Sequence, residues 1–275
     1  DLFYKDTASN INGGITQFDT SAMTFVAWVR QTANQGATYG GLFSKEGARA
    51  TITLNRSVHH NRIDPDDIPT IHEHLDSVES DPLIQLLVIT GTGHKTFSSG
   101  YTIDAILTRL DDSFQLLLSR IEKLHLPTIC ALNGSAYGGG VDLAICCDFR
   151  IGVHGSRMFI PAAKFGLHYY PDGIRRFVQR VGSVPAKKIF MLGKTMDSNE
   201  MLRVGFLSEL VLKEDLNSTV DDYQKSILEC ESSVSISMKR NIDAFASGDL
   251  RNEVWIQKYR ETLGSKEIAR RLGKN

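Results

Sequence analysis

A run of three glycines between two apolar segments constrains the fold of this chain more than any other feature. The segment reads PTICALNGSAYGGGVDLAICCD over residues 127–148. Its first part is a continuous apolar run, which is typical of a strand buried on both faces. The part after the glycines is apolar in the manner of a buried helix that starts near Gly140. A strand, a glycine turn and a helix in this order predict an α/β fold.

The glycine triplet, residues 138–140, predicts an anion site. Glycine leaves backbone N–H groups uncovered by any Cβ, and a helix N-terminus adds about half a positive charge. Two anions suit such a site: a phosphate, or the transient oxyanion of an acyl group. The phosphate-binding patterns GxGxxG and GxxxxGK followed by Ser or Thr are both absent from this segment. The sequence therefore favours the oxyanion.

The composition of the whole chain limits the classes of function. Of its 275 residues, 41% are hydrophobic and 23% are charged, which predicts a folded protein with a large core. The formal net charge of -1 argues against a general binder of nucleic acid. The four cysteines lack the spacing of metal ligands, so no metal is predicted. The apolar run AMTFVAWV is too short to cross a bilayer, and we expect a cytoplasmic protein without a membrane contact.

The periodicity of apolar residues divides the chain into three parts. Residues 1–40 are rich in Asn, Gln, Thr, Ser and Gly and are predicted to be an N-terminal extension with one β-prone patch. An α/β core is predicted over residues 41–205, and a helical region that forms subunit contacts over residues 206–275. The core elements predicted from the pattern are a hairpin over 41–54, helices over 68–78 and 113–124, and strands at LIQLLVITG and PTICALNG.

Four segments, taken together and in order, resemble the crotonase family, the enoyl-CoA hydratases and isomerases. They are TITLNRSVHHN, VITGTGHKTFSSGYTI, PTICALNGSAYGGGVDLAICCDFRI and MLGKTMDSNEMLRVGFLSELV. The resemblance implies a crotonase-like spiral of repeated β-β-α units with a C-terminal helical region. It also implies assembly as a homotrimer or homohexamer. The expected substrate is an acyl-CoA thioester, with coenzyme A as part of the substrate and no tightly bound cofactor.

The resemblance also assigns roles to residues around the glycine triplet. Two backbone N–H groups are expected to hold the thioester oxygen, and by position these belong to Tyr101 and Gly139. Asp142, two residues after the triplet, stands where hydratases carry the first of two glutamates and where dienoyl-CoA isomerases carry an aspartate. It is therefore the expected acid-base group. The alternative for Asp142 is an acid that stabilises the first turn of the helix.

The second glutamate of the hydratases is missing, because Ala162 occupies the expected place. Two nearby groups are candidates for its role. Asp172, in the sequence YPDG, lies near the position of a further aspartate in dienoyl-CoA isomerases and of the nucleophile in related dehalogenases. His168 is a possible proton shuttle near neutral pH. The alternative for Asp172 is an ordinary Pro-Asp-Gly β-turn.

Two loops are expected to bind the CoA part of the substrate. His59 and Arg62 are placed to meet its phosphates, with a solvated loop as the alternative. The backbone near Ser99 and Ile103 is expected against the adenine. The prediction is an enoyl-CoA hydratase or an enoyl- or dienoyl-CoA isomerase. The alternatives are a crotonase-fold hydrolase that uses Asp172, and a non-catalytic acyl-CoA-binding oligomer.

Overall fold

A computed structural model describes residues 24–27, 41–248, 253–263 and 265–271 of the chain. The strands in these ranges are β1 (Thr24–Ala27), β2 (Gly41–Glu46), β3 (Arg49–Leu54), β4 (Leu86–Gly91), β5 (Thr96–Ser98), β6 (Thr128–Leu132), β7 (Ser135–Tyr137), β8 (Phe149–Val153), β9 (Arg157–Phe159), β10 (Met196–Asp197) and β11 (Glu209–Val211). The helices are α1 (Asp67–Ser80), α2 (Ile103–Arg109), α3 (Asp112–Glu122), α4 (Gly139–Cys146), α5 (Pro171–Val181), α6 (Ser183–Leu192), α7 (Ser198–Arg203), α8 (Leu216–Glu229), α9 (Ser232–Ala246), α10 (Glu253–Leu263) and α11 (Lys266–Arg271).

The strands form two sheets. The larger has the order β1-β2-β3-β4-β6-β8-β11, in which the β1–β2 and β2–β3 pairs are antiparallel and the others are parallel. The smaller has the order β10-β9-β7-β5 and is parallel except for the β10–β9 pair. Strand β6 is buried at every position, because it lies centrally in the larger sheet.

A β-β-α unit repeats along the core. In the units β4-β5-α3, β6-β7-α4 and β8-β9-α5, the first strand joins the larger sheet and the second strand joins the smaller one. Each unit therefore brings the end of a short β-strand and the start of a helix to the space beside the smaller sheet. The α/β class and the crotonase-like arrangement of β-β-α units are confirmed.

The elements predicted from apolar periodicity are present with small shifts at their ends. The hairpin forms from β2 and β3, and the two predicted helices are α1 and α3. Helix α4 begins at Gly139, inside the glycine triplet and one residue before the predicted start. Helix α4 is buried from Gly140 to Cys146, which explains why its sequence is apolar on all sides.

The predicted division into three parts stays a prediction. Most of the proposed extension over 1–40 lies outside the described residues, but β1 pairs with β2 at the edge of the larger sheet. After residue 205, β11 adds to the opposite edge beside β8, and the remaining described chain is helical.

Candidate active site

The backbone around residues 98–100 crosses closely over the glycine triplet, residues 138–140. Gly100 and Gly138 adopt left-handed φ angles of 82° and 50°, which side chains with a Cβ rarely adopt. A Cβ built on Gly100 would collide with the backbone nitrogen of Gly139, and one built on Gly140 would lie 2.5 Å from the carbonyl oxygen of Ser98. Glycine is needed here because the backbones themselves are in contact.

This crossing brings together the two amides predicted to hold the oxyanion. Ile63 N donates to Gly100 O at 2.8 Å, and Thr102 N donates to Ile63 O at 3.1 Å. Because the residues on either side of Tyr101 make these bonds, the N–H of Tyr101 points away from Ile63. A Cβ built on Gly139 would lie 3.2 Å from Tyr101 N. In the described part of the chain, neither the Tyr101 nor the Gly139 N–H has a hydrogen-bond acceptor. Two adjacent unpaired donors at a helix N-terminus form an electropositive site.

Asp142 lies in the first turn of α4 and is fully buried. Its Oδ2 accepts hydrogen bonds from the hydroxyls of Tyr169, at 3.0 Å, and of Tyr170. Its Oδ1 lies 3.5 Å from Nη1 of Arg176 and has no hydrogen-bond partner among the described residues. The carboxylate is therefore hydrogen-bonded through Oδ2, while Oδ1 faces the Arg176 guanidinium without a hydrogen bond.

The carboxylate of Asp142 belongs to a buried network that the sequence did not reveal. Arg176 donates from Nε to Glu122 Oε2, from Nη1 to the Tyr170 hydroxyl and from Nη2 to Ser119 Oγ, each at 2.9 Å. Arg175 binds both oxygens of Glu122, at 3.0 and 2.7 Å. The sequence signal for a buried Arg176 was its spacing in α5, because Arg176 shares the buried face of the helix with Gly173 and Phe177.

Burial and the network act in opposite directions on the ionisation of Asp142. Burial raises the pKa of Asp142 above its ordinary value, and the Tyr170 hydroxyl and Arg176 oppose that rise. Burial also disfavours the charge of Arg176, but neighbouring groups that include Asp142 and Glu122 raise the pKa of Arg176 overall. The guanidinium is thus charged at neutral pH, and its charge favours an ionised Asp142.

Neither position 162 nor Asp172 brings a second carboxylate into contact with Asp142 in the described part of the chain. Ala162, in the place of the second glutamate, is buried in a short 3-10 turn. Asp172 does not form a β-turn, because Pro171 begins α5 and places Asp172 in its first turn. The side chain of Asp172 is 60% exposed and accepts from Arg175 Nε at 3.3 Å.

His168 also lies apart from Asp142. Its imidazole is exposed, with Nδ1 at 2.9 Å from the carbonyl oxygen of the adjacent Tyr169. The tyrosine pair, and not His168, is what this loop presents to the buried carboxylate.

The first predicted CoA-binding loop carries its basic groups near the surface. His59 is exposed at the end of a 3-10 turn that spans Ser57–His59. Arg62 is 37% exposed and forms an ion pair with Asp64, with Nε and Oδ1 3.1 Å apart. Part of the charge of Arg62 is therefore already matched within the loop.

The second predicted CoA-binding loop lies against the first. Ser99 N donates to the carbonyl oxygen of His60 at 2.8 Å. Ile103, at the start of α2, is 68% exposed, which is unusual for so large an apolar side chain. The fold brings the two loops together next to the amides of Tyr101 and Gly139.

Two further properties concern cofactors and location. Among the described residues, no group of three or more His, Cys, Asp or Glu side chains is arranged to hold a metal ion. None of the helices within those ranges is both long and apolar enough to cross a bilayer. The cytoplasmic location stays a prediction.

The repeated β-β-α units, with paired free amides beside a buried acid, define the class of the crotonase superfamily. A family model described as enoyl-CoA hydratase/isomerase matches residues 44–262. The chain belongs to the enoyl-CoA hydratase/isomerase family and is an enzyme.

Known relatives and solved structures agree with this assignment. The chain is 31% identical over 182 residues to a crotonyl-CoA hydratase of Syntrophomonas wolfei, an overlap of 64% of this chain and 70% of the relative. It is 28% identical over 214 residues to a short-chain-enoyl-CoA hydratase of Clostridium acetobutylicum, an overlap of 75% and 81%. A monofunctional enoyl CoA isomerase from M. smegmatis superposes with a TM-score of 0.66 at 26% identity, over 76% of this chain and 95% of that one.

Proposed function

We propose that this enzyme binds an acyl-CoA thioester at the amides of Tyr101 and Gly139 and shifts its carbon–carbon double bond, with Asp142 as the acid-base group. The observation that carries the choice of isomerisation over hydration is that the fully buried Asp142 stands without a second acid, because Ala162 takes the place of the second glutamate. The names of the hydratase and isomerase relatives support an acyl-CoA substrate.

The proposed reaction moves one proton between two carbons. Asp142 Oδ1 takes a proton from a substrate carbon, and the electron pair released moves through the thioester to its oxygen. The two amides and the start of α4 stabilise this negative charge. The same carboxyl group then returns the proton to a different carbon, so the double bond shifts and Asp142 is restored as a carboxylate.

Hydration makes a further demand on the site. A water molecule must be oriented and deprotonated while a proton is delivered to the substrate, which in the two-glutamate arrangement occupies two carboxylates. Alanine at position 162 cannot take part in either step. Because Asp142 has no solvent exposure, we expect side chains around Oδ1 to shift before a substrate carbon contacts it. Arg176 is the side chain that faces Oδ1, with Nη1 3.5 Å away, while Tyr169 and Tyr170 hold Oδ2.

The reaction is tested by incubating the protein with enoyl- and dienoyl-CoA thioesters of several chain lengths. We expect double-bond isomers as the main product, with little deuterium from D₂O at the carbon that is protonated, because the same buried carboxyl group returns the substrate's own proton. A 3-hydroxyacyl-CoA as the main product would replace isomerisation by hydration. Release of free CoA would favour the hydrolase alternative, and binding without turnover would favour the non-catalytic one.

The CoA part of the substrate is proposed to lie along the two loops that the fold brings together. Arg62 supplies positive charge and His59 a ring N–H donor for its phosphates, and the backbone near Ser99 and the apolar surface of Ile103 contact the adenine. The exposure of Ile103 supports this placement, because an adenine ring would cover that apolar side chain. Coenzyme A enters as part of the substrate, and no other cofactor is needed for the proposed proton transfer.

We expect the protein to form trimers or hexamers, because α9 exposes a row of apolar side chains. Met238 is 58% and Ile242 64% exposed, and their spacing of four places both on one face of the helix. Sedimentation at micromolar protein should give the mass of three or six chains. Ile242→Glu should shift the distribution to smaller species, and Asn199→Glu, the same charge at an exposed polar position, should not. A wild-type monomer at that concentration would contradict the prediction.

A further inference from the structure

Four side chains of alternating charge form a line that ends at Asp142. Arg175 Nη2 lies 2.7 Å from Glu122 Oε2, and the same oxygen lies 2.9 Å from Arg176 Nε. Arg176 then faces Asp142, with Nη1 and Oδ1 3.5 Å apart. The exposed fraction of these side chains falls from 33% for Arg175 to 12% for Glu122 and 0% for Arg176 and Asp142.

The charge of Arg176 favours the ionised form of Asp142. Both side chains are fully buried, and Nη1 of Arg176 lies 3.5 Å from Oδ1 of Asp142. An opposite charge this close in the interior stabilises a carboxylate, whereas the charge of Arg175 at the outer end of the line is matched by Glu122 and Asp172. Without Arg176, the same burial would favour the protonated form, because Asp142 would be the unpaired charge.

The other titratable groups that face Asp142 do not replace Arg176. Tyr169 and Tyr170 donate neutral hydrogen bonds to Oδ2, and burial raises the pKa of both phenols, so they stay protonated. Cys146, on α4 itself, donates from its thiol to the backbone oxygen of Asp142, and burial raises the pKa of that thiol also. Arg176 is the positive charge among these neighbours, and Glu122 on α3 faces its other side.

We infer that Arg176 is a positioning residue that holds Asp142 in its proton-accepting form, and that Glu122 limits this effect by sharing the guanidinium. The consequence for the rate rests on the proposed function. The consequence for the ionisation of Asp142 does not, because it can be measured without substrate. Replacing Arg176 and replacing Glu122 should therefore move the pKa of Asp142 in opposite directions.

The test is a titration of the Asp142 carboxyl carbon by NMR in protein labelled with ¹³C at aspartate, with Asp142→Asn to assign the signal. In Arg176→Met, loss of the positive charge should raise the pKa of Asp142 by about 1 to 3 pH units. Arg176→Lys keeps the charge without the planar fork and should give a smaller rise. In Glu122→Gln, loss of the competing negative charge should lower the pKa.

The pH dependence of the rate should shift together with the ionisation of Asp142. Since a proton acceptor works only when ionised, the acid limb of the profile of kcat/KM against pH should move to higher pH in the Arg176 variants and to lower pH in Glu122→Gln. A purely structural role would lower the rate at every pH and leave both limbs in place. Circular dichroism and thermal unfolding establish which variants are folded.

The possible outcomes have separate meanings. An Asp142 signal that titrates as in the wild type in folded Glu122→Gln and in either folded Arg176 variant would overturn the inference. If Arg176→Met does not fold, Arg176→Lys and Glu122→Gln still give the two opposite directions. If the carboxyl titration shifts as expected while the rate profile stays unchanged, the inference holds and the role of Asp142 as the acid-base group is wrong.

Discussion

Asp142→Asn is expected to lower kcat by ~10² or more while the affinity for the CoA ester stays within a few-fold of the wild type. The amide has the shape of the carboxylate, and its oxygen can accept the hydrogen bonds that Tyr169 and Tyr170 donate to Oδ2. The NH₂ group would then stand in the place of Oδ1, where it cannot take a proton from the substrate. Single-turnover rates measure the loss in the chemical step, and the dissociation constant of a non-reacting CoA thioester measures the affinity.

The result depends on a folded variant, because the substitution also removes a charge that faces Arg176. Arg176 keeps its hydrogen bond to Glu122, so we expect a lower thermal stability without loss of the fold. Asp172→Asn is the matched control, since it makes the same chemical change at an exposed carboxylate. We expect a smaller loss of kcat there. An equal loss would establish the predicted role of Asp172 as the partner of Asp142, and wild-type turnover in Asp142→Asn would exclude the proposed mechanism.

Gly139→Pro should lower kcat by ~10² to 10³, because proline removes one of the two N–H groups proposed to hold the oxyanion. No hydrogen bond of the described fold is lost, since the Gly139 N–H has no acceptor there, and the first position of a helix accepts proline. The ring is nevertheless crowded, because a Cβ at this position would lie 2.9 Å from the ring of Phe114. A lower melting temperature is therefore expected as well.

Gly139→Ala is the control that separates crowding from the lost donor. It keeps the N–H and adds a Cβ 2.9 Å from the Phe114 ring and 3.2 Å from Tyr101 N. We expect Gly139→Ala to lose activity, and Gly139→Pro to lose more, with the difference giving the contribution of the donor. Turnover of a folded Gly139→Pro variant at the wild-type rate would exclude the Gly139 N–H as a donor to the thioester oxygen.

Much of the fold was predictable because its signals are local. The apolar run of β6, the glycine triplet and the apolar sequence of α4 each specify backbone conformation within a few residues. The resemblance of four ordered segments then assigned roles to Tyr101, Gly139 and Asp142, and these roles stay predictions. The short strands β10 and β11 were not predicted, since two or three residues carry too little periodic signal.

The neighbours of Asp142 were not predictable in the same way. Tyr170 directly precedes α5 and Arg176 lies within it, so both meet Asp142 through packing of α5 on α4, and Glu122 of α3 joins the network through Arg176. An arginine beside an apolar residue looks the same in sequence whether it points to solvent or to the interior. For Asp172 the sequence predicted a place in the site, because its position resembles one in the family. The structure instead places this side chain, exposed, in the first turn of α5.

The sequence by itself determined the α/β class and the uncovered backbone at the glycine triplet, because backbone conformation and glycine's lack of a Cβ are local properties of the chain. Tertiary structure alone decided that the tyrosine hydroxyls bind Oδ2 of Asp142, that Oδ1 faces the guanidinium of Arg176, and that Asp172 lies exposed on α5. The reason is physical: burial and charge pairing depend on distances between segments far apart in sequence, and these distances exist only after the helices have packed.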